Sequence, residues 1–167
     1  MGEAEQGDDV TVLAVVYFRG PRDVDLHQME VRVSNRLDEI DRVNAAFNEF
    51  ADRHALSQKL RRKINLVFDE LLNNIISYAY DDEGQHLIDV HVRLSDAGLS
   101  VTVTDDGKPF NPFESHAPVT ALSVEDRPIG GLGVHLVRNV MDRVGYERQG
   151  ETNVVLLEKE IESNSQA

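Results

Sequence analysis

The chain has 167 residues, 41% of them hydrophobic, with a formal net charge of -13 and no cysteine. That length fits one domain with a real core, and the charge weighs against nucleic acid or an anionic membrane surface as partner, since both call for a positive face. The missing cysteines rule out a disulfide framework, a thiol nucleophile and a thiolate metal site; with no apolar run of membrane-spanning length and no signal pattern, a reducing cytoplasm is the expected setting.

Residues 1–9 are small and acidic, and Val10, Val12, Val15 and Val16 mark residues 10–18 as a strand ended by Gly20-Pro21. Residues 1–27 thus form an extension ahead of a main domain over 28–160, with a polar tail over 161–167. Met29-Glu30-Val31-Arg32-Val33 alternates as a half-buried strand. Ser34 or Asn35 is placed to cap a helix carrying Leu37, Ile40, Val43, Phe47 and Phe50.

Ser57 caps a second, longer helix whose stripe is Leu60, Ile64, Val67, Phe68, Leu71, Leu72, Ile75 and Ala79, ending near Tyr80. Its basic first turns, Lys59 to Lys63, are either a solvated face or a patch for an acidic partner. Glu70 and Asn74 stand one turn apart, off the apolar stripe. The amide oxygen can ligate a hard cation such as Mg²⁺, and the carboxylate can orient or deprotonate a hydroxyl. On this helix alone, a solvated polar face accounts for them equally well.

Two alternating strands follow, over 87–94 and 99–104, joined at Asp96-Ala97-Gly98. The second runs into Asp105-Asp106-Gly107-Lys108-Pro109-Phe110, and the aperiodic connection to Pro128 is long enough to be a lid or a binding loop. Ile129-Gly130-Gly131-Leu132-Gly133 then opens a helix expected to continue through Val140, Met141 and Val144 until Gly145 stops it. Residues 146–149 and 153–159 read as a final hairpin around Gly150. The histidines show no close metal-ligand spacing.

The order of these signals carries a resemblance. Glu70-Leu71-Leu72-Asn73-Asn74-Ile75-Ile76-Ser77-Tyr78-Ala79-Tyr80, Asp105-Asp106-Gly107-Lys108-Pro109-Phe110 and Ile129-Gly130-Gly131-Leu132-Gly133 resemble the three boxes of the histidine-kinase-like (GHKL) ATPase superfamily. Within it, the chain looks most like the anti-sigma-factor serine kinases of bacterial stress and sporulation switches. The resemblance covers about residues 29–160 and implies a Bergerat-type α/β (α+β) fold: a two-layer sandwich with a mixed, mostly antiparallel sheet packed on helices. It implies ATP and Mg²⁺ as cofactors, with Glu70 as general base or positioner and Asn74 as metal ligand. Asp105 would accept from the exocyclic amine of adenine, and Gly107 would let the base lie against the backbone. Gly131 and Gly133 would let the chain approach the phosphates at a helix N-terminus. Segment 108–128 would close as the lid, with Arg127 adding positive charge. Thr152 stands where relatives often put a hydroxyl near adenine, or is a plain turn threonine. Tyr78 departs from the family, which often has His there.

Gly7-Asp8-Asp9-Val10-Thr11-Val12-Leu13 resembles the closing segment of the metal-dependent serine/threonine phosphatases of the same switches. That would make residues 1–27 the end of a truncated phosphatase domain; an acidic turn before an extra edge strand is the other reading. The expected function is an ATP-dependent protein serine/threonine kinase that phosphorylates an anti-anti-sigma protein of the STAS type, binds a sigma factor in the opposing state, and works as a homodimer. The competing expectation is a nucleotide-gated binding module that captures a partner with no phosphoryl transfer. A histidine kinase would need a helical domain carrying an acceptor histidine, and a chaperone or topoisomerase ATPase would need large transducer domains.

Overall fold

The computed structural model describes residues 27–114 and 130–161. In chain order these give β1 (Gln28–Ser34), a 3-10 turn (Leu37–Glu39), α1 (Ile40–Arg53), α2 (Gln58–Tyr78), β2 (Leu87–Ser95), β3 (Gly98–Asp105), α3 (Gly130–Val140), β4 (Arg143–Gln149) and β5 (Thr152–Lys159). The strand expected over 10–18, the Asp8-Asp9 pair, Arg127 and most of the expected lid lie outside the described residues.

The strands form one sheet in the order β1-β2-β3-β5-β4. Every described pairing is antiparallel, so the mixed sheet expected from sequence is an antiparallel one here. Side chains alternate between faces along a strand. Ile88, Val90 and Val92 of β2, Leu99, Val101 and Val103 of β3, and Val155 and Leu157 of β5 therefore share one buried face. Against it pack Val43, Phe47 and Phe50 of α1 and Ile64, Val67, Phe68, Leu71, Leu72 and Ile75 of α2, all in one core. Phe47 meets Phe68 edge-on at 5.5 Å between ring centroids, which locks α1 to α2. The same register carries Asp105 and Asn153, paired across β3 and β5, onto the helix side.

Three local expectations change. Neither Ser34 nor Asn35 caps a helix: Arg36 precedes the 3-10 turn with no side-chain cap, and Asn35 instead donates to Gly84 O (3.1 Å) and accepts from His86 N (3.0 Å). Its amide thus extends the β1–β2 pairing past the end of the ladder. The third helix stops at Val140, and Val144 and Gly145 belong to β4, opposite Leu157 and Leu156. The helical spacing of Val140, Met141 and Val144 is real, but Asp142 N bonds to Glu158 O (2.9 Å) and pulls the chain into the sheet. Arg61 in the basic first turns of α2 pairs with Asp52, whereas Lys59 and Lys63 line an open groove of about 910 Å³ beside His27, His54 and Lys159. Ser57 does cap α2, its hydroxyl accepting from Leu60 N at 3.2 Å.

α1 ends with Ala55 at φ 51°. Leu56 N bonds to Ala51 O (2.9 Å) and Ala55 N to Asp52 O (3.2 Å), the paired closure in which the left-handed position is ordinarily glycine. An L-residue there costs about 1–2 kcal/mol, and part of that is recovered by alanine's smaller unfolded-state entropy. Ala55→Gly is therefore expected to raise stability by about 0.5–1 kcal/mol, read as a higher urea midpoint with an unchanged m-value.

Candidate functional site

β3 delivers Asp105 to the sheet's end, next to the last turn of α2 and beneath the β4–β5 hairpin. The side chain is 4% exposed. Its Oδ1 accepts from Gly107 N (2.9 Å) and from Asn153 Nδ2 (2.8 Å), and no hydrogen bond reaches Oδ2 among the described residues. Burial pushes this carboxyl above its usual range; the Asn153 and Gly107 bonds and the Arg148 charge pull the other way, and Asp106 adds to the rise. The result is a buried carboxylate with one oxygen saturated and the other still able to accept.

Gly107 has a packing reason beside the one expected. A Cβ there would fall 2.6 Å from Ala79 O and 2.8 Å from Asp105 Oδ1. The missing side chain lets the loop close on the end of α2, where Lys108 N bonds to Ala79 O (2.8 Å), so the glycine shapes Asp105 itself.

The hairpin's contribution is Asn153, not Thr152. Thr152 pairs with Gln149, and alternation puts its side chain on the sheet face opposite Asp105. Asn153 is 1% exposed and fully bonded. Its Nδ2 also donates to Lys108 O (2.9 Å), and its Oδ1 accepts from Tyr146 (2.8 Å), Arg148 (2.9 Å) and Phe110 N (3.4 Å). A signal was present in the sequence: Asn153, Val155 and Leu157 share one strand face, and a lone amide in an apolar register marks a buried polar site.

α2 supplies Glu70 and Asn74, and neither is fully solvated, as a plain polar face would have them. Glu70 is half-buried, and Asn74 is only 8% exposed, flanked in sequence by the core residues Leu72 and Ile75. No hydrogen bond to the Asn74 carboxamide is made among the described residues, and its polar atoms are not among the solvent-excluded ones, so the amide is open to a cation or a phosphate-bound water. Gly131 and Gly133 lie in the first turn of α3. A Cβ at residue 133 would fall 2.0 Å from Glu70 Oε2, so this glycine admits the Glu70 carboxylate to the helix. Tyr78, at the position where the resemblance expects His, is 48% exposed, with its ring 5.9 Å from that of Phe110.

Sequence reasoning also missed Tyr80 and His86. Tyr80 stacks on His86 at 4.4 Å, and its buried hydroxyl has no partner among the described residues. Burial and the negative charges of Asp105 and Asp106 push that phenol far up, so it stays a neutral donor. His86 bridges Asp82 (2.8 Å) and Asp106 (3.1 Å). The Asp82 bond, with Asp106 behind it, raises the imidazole above its ordinary value. A raised folded pKa adds stability that is complete below the unfolded value, about 6.5, and fades as pH rises through the folded one. The thermal midpoint of the wild type should therefore exceed that of His86→Gln at pH 5.5, and the gap should shrink by pH 8.5 in parallel melts. A constant gap would show that the ring acts by packing on Tyr80 alone.

The sequence profile of the histidine kinase-like ATPase domain matches residues 33–159. The chain belongs to this family. The residues described above fall within the matched span, so the resemblance read from the three boxes holds. Among curated relatives, the chain is similar to serine/threonine-protein kinase BtrW of Bordetella bronchiseptica, 31% identical over 63% of this chain and 74% of that one. It is also similar to serine-protein kinase RsbW of Halalkalibacterium halodurans, 31% identical over 56% of this chain and 57% of that one. Serine-protein kinase RsbW of Listeria innocua is 26% identical over 70% of this chain and 80% of that protein. Among the described residues no helix is long and apolar enough to cross a membrane, and no group of three His, Asp or Glu side chains could hold a metal.

Proposed function

We propose that this chain is an ATP-dependent protein serine/threonine kinase and anti-sigma factor, phosphorylating a STAS-type anti-anti-sigma partner and holding a sigma factor in the opposing state, as a homodimer. The observation that carries the reading is the Asp105 carboxylate: buried, held through Oδ1, with no partner on Oδ2 among the described residues, within a chain of the histidine kinase-like ATPase family. The exocyclic amine of adenine satisfies that acceptor. Beyond it, Asn74 offers an unpartnered amide, and Glu70 stands one turn before it. Mg²⁺, when bound with ATP, would supply charge neutralisation on the phosphates, and Asn74 would hold it. Glu70 would accept the proton of the incoming serine or threonine hydroxyl or fix its orientation. The names of the relatives support phosphoryl transfer to protein, and Asn74 and Glu70 on one helix would supply a ligand and a base for it.

The test is calorimetric titration of Mg·ATP into the chain, followed by transfer of labelled γ-phosphate to a STAS-domain acceptor. Saturable binding with transfer supports the kinase. Saturable binding with no transfer to any acceptor that forms a complex would favour the nucleotide-gated binder, and no binding at millimolar ATP would overturn both.

A further inference from the structure

We propose that Asn153 is a positioning residue for nucleotide recognition: by saturating one oxygen of Asp105 it leaves only the other to meet the base, and so selects a 6-aminopurine over a 6-oxopurine. The inference rests on the kinase reading and names a residue that the three boxes do not contain.

A carboxylate offers about four lone-pair positions and can present either oxygen. Gly107 N alone would leave Asp105 able to accept on both sides of Oδ1 and to turn. The second donor, Asn153 Nδ2 at 2.8 Å, removes that freedom. The amide itself has a single workable orientation. Exchanging its O and N would set the carbonyl against both the Asp105 carboxylate and Lys108 O, and the NH₂ against the Arg148 and Phe110 donors. Arg148 secures the arrangement from outside, donating to Gly107 O (2.7 Å) and Gly150 O (3.0 Å) as well as to Asn153. Hairpin and base loop are therefore one hydrogen-bonded unit with Asn153 at its centre.

What remains is Oδ2 as acceptor. An exocyclic amine fits it, while the carbonyl of a 6-oxopurine would face a carboxylate with no proton between them. Asn153 has a second effect in the same direction. Asp105 sits among Asp106, which disfavours its charge, Arg148, which favours it, and the neutral Tyr80 phenol, in a buried setting that disfavours it overall. The Asn153 bond helps keep the acceptor ionised, and losing it would let a proton compete with the base at a higher pH.

The experiment measures Mg·ATP and Mg·GTP affinity by calorimetry between pH 5.5 and 8.5 for the wild-type chain, Asn153→Ala, Asn153→Asp and Tyr146→Phe, each checked for folding by circular dichroism. Wild type should prefer ATP. Folded Asn153→Ala should lose roughly tenfold in ATP affinity, narrow the ATP-over-GTP ratio, and lose ATP on acidification at a higher pH than wild type. Asn153→Asp, similar in shape but with no donor toward Asp105, should lose more. Tyr146→Phe removes one bond to Asn153 and keeps the ring, so it should change the ratio in the same direction by a smaller factor, and it decides the matter if the Asn153 variants do not fold. Folded variants with wild-type affinity, ratio and pH profile would overturn the positioning role. A wild-type chain that binds neither nucleotide would overturn the kinase reading, and this inference with it.

Discussion

Asp105→Asn is expected to weaken ATP binding by roughly 100-fold or more while leaving the fold as stable as before or more so. The two halves of that expectation have different causes. Asparagine can still accept from Gly107 N and Asn153 Nδ2 through its own oxygen, in the place of Oδ1. Its NH₂ then occupies the position of Oδ2 and turns a donor toward the adenine amine. A charge-assisted hydrogen bond is exchanged for two donors face to face, a loss of about 3 kcal/mol or more, roughly 100-fold in affinity.

Stability moves the other way because burial raises the Asp105 carboxyl. A carboxyl whose folded pKa lies above its unfolded value makes the fold lose stability as pH rises from about 3.9 through the folded pKa. Once the pH has passed the folded pKa the wild type carries that penalty in full, and a neutral amide does not carry it. Calorimetric titration paired with thermal melts at pH 7 checks both halves. A variant that binds ATP as wild type does would remove adenine from Asp105. A variant that merely unfolds would show that the Gly107 and Asn153 bonds require a carboxylate.

Sequence periodicity made most of the scaffold legible because burial of one face of each element enforces it. The α2 stripe from Ile64 to Ile75 and the inward registers of β2 and β3 are forced by the core they share. The boundary between α3 and β4 was not legible: Val144 satisfies helical spacing as well as strand alternation, and the choice is made by Asp142 N finding Glu158 O, a contact distant in sequence. The site shows the same division. Local motifs flagged Glu70, Asn74, Asp105 and the glycines, but the environment that gives them meaning comes from pairing. Asn74 reads as polar in a polar stretch until the packed helix buries it. Asn153 meets Asp105 only because β5 lies between β3 and β4, an order that spacing along the chain does not announce. Thr152, one residue away, has the more suggestive hydroxyl and faces the wrong side.

Glu70 carries the second large effect. Removing a general base typically costs 10²–10⁴ in rate, about 3–5 kcal/mol of transition-state stabilisation, while the proposed ATP contacts at Asp105 and Asn74 are left in place. Glu70→Gln is the sharper variant, since it keeps the side chain that fills the space above Gly133 and removes the proposed base; Glu70→Ala also empties that space. Both are expected to bind Mg·ATP within about threefold of wild type and to transfer γ-phosphate at least about 100-fold more slowly to a STAS-domain acceptor in single-turnover assays. Gly133→Ala provides an independent check from the other side of the contact: its methyl would displace the flexible carboxylate end of Glu70 that lies against this glycine, so transfer should fall with Glu70 still present. Should Glu70→Gln transfer at the wild-type rate, the carboxylate does not take the hydroxyl proton, and positioning of the acceptor by Asn74 and the phosphates would have to account for catalysis. If Glu70→Ala is slow and Glu70→Gln is not, the side chain acts by its shape against Gly133, and its charge is incidental to transfer.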